Sequence, residues 1–384
     1  MIIRLVIVVV LAVVVARPAT AQSGAAELDA TLSRLVASDL SARTEAARDL
    51  RRAPRDVAIP ALQRAARTHG DQYVRYRALV LLTGFADPAT SQLMREVMTD
   101  RNDRLRTVSY QWFERHPEPS VVPALLAALD REHSEFVRPA LTRALAACVN
   151  DSRARAALLP LVLRGEDLFR GAVIAALGDY KHPEAVTPIT QVAELDGPLQ
   201  DDALTALGEL GNPESRTSLV TVQAAAPREL QPTIAASLCL IGIDCEAQTA
   251  FVRQSLTYAL ADANHQALLR GAVHAMATLA LHGRPVMLEA LWDAGVPARD
   301  PARAVIALGI GNIGLRNPAL LLTSLEKRPD APACLDLVLD AFDMLSEDFE
   351  EEQFYVDVRQ ALWAAPEGSR RRQAAVRVIE KLEF

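Results

Sequence analysis

An arginine recurs along this chain at a near-constant interval. Aligning "QYVRYRALVLL", "DRLRTVSYQWF", "EFVRPALTRAL", "DLFRGAVIAAL", "LLRGAVHAMA" and "PARAVIALGIG" places it at Arg75, Arg106, Arg138, Arg170, Arg270 and Arg303, the first four 31, 32 and 32 residues apart. Self-similarity with a period of about 20–50 residues marks an array of stacked supersecondary units. The 100 residues from Arg170 to Arg270 hold two degenerate units, around Asp201 and Thr233, and an insertion near 246–266.

A second landmark follows thirteen residues after the Arg, at Pro88, Pro119 and Pro183, with Asp151-Ser152 and Asn212-Pro213 near the same place in other units. Asp, Asn or Ser caps a helix N-terminus, and Pro suits its first turn. Each unit therefore reads as two helices, one opening at the Pro and one carrying the Arg. After the Arg, apolar residues fall at helical spacing, as in Ala172, Val173, Ala176 and Leu177, or Val108, Trp112 and Phe113. Neither helix can bury such a stripe alone, so the units must stack. Ala and Leu dominate the composition and β-branched runs are few after residue 22, which favours an all-α protein.

The stretches "LFRGAVIAALGDYKHPEAVTPITQVAELD" and "ALTALGELGNPESRTSLV" resemble the HEAT-repeat family, in particular its short bacterial HEAT-like units, and the resemblance covers roughly residues 27–384. It implies an α-solenoid of about eleven stacked helix pairs, with the Arg-bearing helices lining the concave side. It also implies that Asp71, Asp103, Asp130 and Asp167 are ladder partners of the arginines. The pattern departs from the family at Gln200-Asp201, where the Arg is lost, so the ladder is expected to break there. The expected organisation is a leader over 1–21 and a solenoid over 22–384. Within the solenoid lie a degenerate or inserted unit around 230–266 and an acidic capping unit around 333–384.

The leader expectation rests on "MIIRLVIVVVLAVVVARPATA". Arg4 precedes an apolar run, and Ala19-Thr20-Ala21 is a small-x-small cleavage site. The run is too short to span a bilayer, so export to a periplasm or the extracellular space is expected, with no stable membrane span after cleavage. A formal net charge of -7 argues against nucleic acid as a partner. Cys239 and Cys245 flank Gly242 closely enough to bridge, which spacing alone leaves open, whereas Cys148 and Cys334 sit among apolar residues.

"GIGNIG" at 309–314 has the spacing of a dinucleotide fingerprint but no strand before it. The repeat register instead makes Gly311 a helix C-cap and puts Gly309 inside the helix, where alanine is expected to be neutral or stabilising if the neighbouring helix leaves room. Two enzyme groups share HEAT-like repeats. Deoxyhypusine hydroxylases bind iron through His-Glu dipeptides, and none of the seven histidines here precedes a Glu. Bilin lyases act on cytoplasmic substrates, which an exported chain would not meet. No G-x-S-x-G, P-loop, H-E-x-x-H or C-x-x-C occurs, so the expectation carries no cofactor, no metal ligand and no catalytic residue. Acids gather from Asp336 to Asp357 and read either as the solvated face of a terminal cap or as a docking patch for a basic partner.

The function expected is a non-enzymatic exported scaffold or adaptor holding a protein or peptide in its concave groove. Its alternative is an enzyme whose site is assembled across repeats. Tyr76, Tyr110, Thr142 and His274, one or four residues after an Arg, together with Arg143, are the candidate binding residues. Convergent His, Asp and Glu on the groove would favour chemistry, and spread aromatics and Arg would favour binding.

Overall fold

The computed structural model describes residues 19–345 and 348–384, with side chains from residue 27 onward. The expected leader lies outside the described residues except for 19–21, which open the first helix. The chain divides into two compact units, Met1–Ala78 and Leu79–Phe384.

In the first unit α1 (Ala19–Arg34) packs on α2 (Leu40–Arg52) and α3 (Arg55–Thr68), and α4 (Gln72–Thr83) begins within it. Asp39 stops the chain from fraying before α2 by accepting the Ala42 N–H at 3.1 Å. Leu32, Leu50, Ala58 and Leu62 are its buried stripe residues.

The second unit is a run of helix pairs. They are α5 (Thr90–Val97) with α6 (Asp103–Arg115), α7 (Val122–Leu129) with α8 (Arg138–Ala147), α9 (Ser152–Leu158) with α10 (Asp167–Asp179), and α11 (Val186–Ala193) with α12 (Gln200–Leu210). Then come α13 (Arg216–Ala225) with α14 (Gln231–Leu240), α15 (Cys245–Leu260) with α16 (Gln266–Leu281), α17 (Val286–Gly295) with α18 (Ala302–Arg316), and α19 (Pro318–Leu325) with α20 (Ala331–Leu345). Two further helices, α21 (Asp348–Ala364) and α22 (Arg370–Leu382), end the chain. The fold is all-α, and among the described residues no strand occurs.

From α6 to α20 each even-numbered helix packs on the next even-numbered one, so these form a continuous inner layer, and most odd-numbered helices pack outside it. This succession is compatible with stacked helix pairs. Apolar residues at helical spacing drive it: Ile306, Ile310 and Ile313 of α18 are wholly buried, each worth about 1.5–3 kcal/mol relative to exposure. The caps at Asp151 and Asn212 fall where the sequence puts them. Asp151 accepts from Arg153 N at 2.9 Å, Asn212 from Glu214 N at 2.9 Å, and Asn317 from Leu320 N at 3.0 Å with Pro318 behind it.

The expected arginine ladder is partly replaced by a different device. Arg106 pairs with Asp103 at 2.8 Å and Arg170 with Asp167 at 2.9 Å, but the carboxylate from the next unit that meets Arg106 is Glu132, at 2.7 Å. Asp71 accepts the Tyr73 and Val74 amides, as an N-cap does. The Arg138 guanidinium lies over the Phe169 ring, 3.5 Å from its centroid. What recurs is a reach back to the preceding helix. Arg75 Nε donates to Ala66 O at 2.9 Å, Arg106 Nη1 to Asp100 O at 2.9 Å and Arg170 Nε to Val162 O at 3.1 Å. Where the Arg is lost, Gln200 donates to Ala193 O at 3.0 Å, and Gln231 does the same to Gln223 O and Ala226 O at 2.9 Å. The series does not break there, because Gln Nε2 reaches the same orphan carbonyls that helix C-termini leave.

Two other expectations are corrected. Gly311 is not a C-cap, since α18 continues to Arg316. A Cβ on Gly311 would meet Ala341 Cβ at 2.6 Å, so the glycine lets α18 approach α20. A Cβ on Gly309 would collide with Val273 of α16, so alanine is not tolerated there either. Gly178 and Gly208 serve the same close approach, against Ala206 and Ser237, and the left-handed residue that ends α12 is Gly211 at φ 66°.

Cys239 and Cys245 form a disulfide from α14 to the first residue of α15, while Cys148 and Cys334 are buried thiols. The stretch expected as an insertion, near 246–266, holds α15, of 16 residues, and the turn into α16. Among the described residues no single helix is long and apolar enough to cross a membrane.

Candidate functional site

The five candidate binding residues do not share one open face. Tyr76 is half-buried on α4, its ring 5.9 Å from that of Tyr73. Tyr110 is 1% exposed, with its hydroxyl directed to Met98 O at 3.4 Å, and burial pushes that hydroxyl up to about 12. Thr142 is wholly buried and donates to Arg138 O at 2.9 Å. Tyr110 and Thr142 therefore belong to the packing and not to a binding surface. The physical reason is one residue of phase: a helix turns about 100° per residue, so on α8 the fourth position after the Arg faces the core and the fifth, Arg143, keeps its side chain 32% exposed.

Arg143 is the centre of the site the fold does build. Its Nε donates to Glu114 Oε1 at 2.7 Å, from α6, and its Nη1 to Asp179 Oδ2 at 2.8 Å, from α10. Arg316, at the end of α18, donates to the other oxygen of Asp179. The Tyr180 hydroxyl donates to Glu114 Oε1 at 2.9 Å, and Glu209 of α12 comes up beside Asp179, its Oε2 3.0 Å from where a Cβ on the adjacent Gly178 would stand. These side chains come from five helices spread over 202 residues of chain, from Glu114 to Arg316.

The electrostatics split the carboxyls. Burial would raise Asp179, but Arg316 and Arg143 outweigh it and hold the group below its ordinary value. Glu209, 6% exposed, is pushed up to about 8, first by burial and then by the negative charge of Asp179, against the opposing pull of Arg316 and Arg143. Burial and Glu114 raise the Tyr180 hydroxyl. The cluster thus sets the guanidiniums of Arg143 and Arg316 against the carboxyls of Glu114 and Asp179, with Glu209 holding its proton more tightly than an ordinary glutamate does. Sequence reasoning found Arg143 and missed the others, although Glu114, Asp179 and Glu209 lie eight or nine residues into their helices after Arg106, Arg170 and Gln200.

Nearby, His274 of α16 contacts Thr205 Oγ1 of α12 at 3.1 Å. The far end of the unit is bridged as well. Gln111 donates to Glu350 at 2.9 Å, Arg115 to Asp357 at 2.6 Å, and Gln353 to Thr83 Oγ1 at 2.8 Å, so α21 returns to the first helices of its own unit. The acidic segment is spent on such pairs: Asp336 meets Lys381 at 2.5 Å, Asp340 meets Arg303 at 2.7 Å, and the wholly buried Glu352 lies 3.6 Å from Arg359. Asp336 and Asp343 stay exposed, so part of the segment also faces solvent.

Two features face outward. A cleft of about 750 Å³ between α17 and the turn before α20 is lined by Glu289, Asp293, Lys327, Arg328 and Asp330. Its Arg328 is already matched, to Asp330 at 2.8 Å, Asp293 at 2.9 Å and Glu289 at 3.3 Å. Large apolar side chains also stand in water at the turns into three successive inner helices: Phe136 before α8, Leu168 at the start of α10, and Leu195 before α12, at 87%, 65% and 62% exposure. Among the described residues no group of three or more His, Cys, Asp or Glu side chains is disposed to hold a metal ion. No protein-family model matches the chain and no curated protein matches it in sequence, so the HEAT-like resemblance rests on the repeat residues themselves.

Proposed function

We propose that this protein is an exported, non-enzymatic adaptor that binds a protein or peptide through its helix-pair array. The binding surface is the edge formed by the turns into α8, α10 and α12 and not the inner face. One observation carries this reading: Phe136, Leu168 and Leu195 recur in successive units and are more than half exposed, whereas the polar groups of the inner face are matched to one another. Exposed large apolar residues that recur along an edge mark interaction sites more often than scattered ones do. The export component rests on the leader sequence alone.

The test places a photo-crosslinking residue at 136, 168 or 195 in turn, with a control at Val220 on α13, in the exported protein. The same adduct is expected from all three edge positions and not from the control. Phe136→Asp combined with Leu168→Asp should remove that adduct while leaving the melting temperature within a few degrees. Adducts that differ from site to site, or that persist in the double variant, would overturn the reading, and an adduct of twice the chain mass would make the partner a second copy.

A second reading, an enzyme assembled across repeats, is favoured by the opposite displacement of Asp179 and Glu209, since paired carboxyls pushed apart suit general acid and base roles. Turnover of any substrate that Asp179→Asn abolishes without unfolding the chain would establish it.

A further inference from the structure

We propose that Glu209 is the proton-controlled pin of a clasp that holds the end of α18 to the end of α10 across the inner face, closed while Glu209 keeps its proton and released when the proton leaves. The geometry is specific. α12, α14 and α16 lie between α10 and α18 in the inner layer, yet Arg316 reaches Asp179, and the buried Glu209 brings its Oε2 to 3.0 Å from the Cβ site of Gly178, next to that same carboxylate.

The groups facing the pin come from every side. Glu114 belongs to α6, Arg143 to α8, Asp179 to the end of α10 with Tyr180 just past it, and Arg316 to α18. α11 and α14, which also pack on α12, carry no ionisable side chain apart from Cys239, which is in the disulfide. On α12 itself Asp201 and Asp202 lie about two turns before Glu209, and His274 of α16 reaches Thr205 between them. Two guanidiniums therefore balance two carboxylates, Glu114 and Asp179. A third carboxylate has no counter-charge. When Glu209 is neutral its O–H donates to Asp179, and when it is ionised that bond is lost and two anions face each other in a buried site.

The sign follows from proton linkage. The closed state binds one proton more than the open state wherever Glu209 is protonated in the first and ionised in the second. That window runs from the ordinary glutamate range, about 4.3, up to about 8. Across it the opening constant rises by up to about tenfold per pH unit, and above it the dependence vanishes.

The experiment is amide hydrogen exchange on the full chain between about pH 5.5 and pH 9, each rate divided by its intrinsic base-catalysed rate. In the unsubstituted protein, protection at residues 313–316 and 178–180 should fall as pH rises and level off near the top of the range. Glu209→Gln, which copies the protonated form, should hold the acid-side protection at every pH. Arg316→Gln should be unprotected at every pH. Parallel pH courses in Glu209→Gln and the parent, or a flat course in the parent, would overturn the clasp. If Glu209→Gln does not fold, the carbon-13 carboxyl titration of the unsubstituted chain decides: a Glu209 midpoint near neutrality or above supports the proposal, and one in the ordinary glutamate range sinks it.

Discussion

At residue scale the glycines near the ends of the inner helices carry the most direct consequence. Gly311 admits Ala341 of α20 and Gly208 admits Ser237 of α14, each at a distance no Cβ can share. Gly311→Ala should therefore lower stability by about 1–3 kcal/mol, the cost of overpacking an interior. Gly309→Ala should also cost, because the obstructing side chain is Val273, whose β-branched rotamer is stiff. Urea denaturation midpoints of the two variants check both, and an unchanged or raised midpoint for either would contradict the close-approach account. The sequence marks Gly178 and Gly311 clearly, eight residues after Arg170 and Arg303. It does not say why they are small. A C-cap and a helix-helix contact both demand glycine, and only the position of the neighbouring helix separates them. The same blindness to phase put Tyr110 and Thr142 on a surface when they lie in the core.

At the scale of the element, the repeated Arg acts at Arg75, Arg106 and Arg170 as a C-terminal cap supplied from the following helix. Helix ends leave carbonyls without intrahelical partners, and Arg170 Nε reaches one of them at Val162. Its ion pair with Asp167 is secondary, because that carboxylate is 54% exposed and such pairs are worth little. Arg170→Gln should consequently retain most of the stability, as Gln200 does in its own unit, whereas Arg170→Ala should lose about 1 kcal/mol. Gln200→Ala should lose about 1–3 kcal/mol, since Ala193 is wholly buried and its carbonyl would be left unmatched. Chemical denaturation of the three variants orders them, and equal losses in Arg170→Gln and Arg170→Ala would make the ion pair the dominant contact. The period, the caps at Asp151 and Asn212 and the two-helix unit were all legible, because they depend on local residue chemistry. Continuation of the series through Gln200 and Gln231 was not, because a search for charge passes over an amide that makes the same bond.

At the scale of the second unit, the chain closes on itself. In an open array each repeat touches only its neighbours, and a lesion at the last helices spreads no farther than the preceding pair. Here Gln353 of α21 donates to Thr83, whose hydroxyl donates in turn to Val80 O at 2.6 Å, and Arg115 of α6 pairs with Asp357. Such contacts join positions 239 to 270 residues apart. No periodicity could announce them, since the acids that make them read locally as a polar end cap. Gln353 is 4% exposed, and Gln353→Ala removes a buried donor and leaves a void, a loss of about 2–3 kcal/mol. Its reach is the sharper test. If closure couples the two ends, amide exchange in α6 should accelerate in Gln353→Ala about as much as in α19 and α22, while α12 and α14, midway along the stack, keep their protection. If exchange rises only in α19, α20 and α22 and decays from there, the unit behaves as an open array, and the bridges from α21 to Thr83, Gln111 and Arg115 carry no stability.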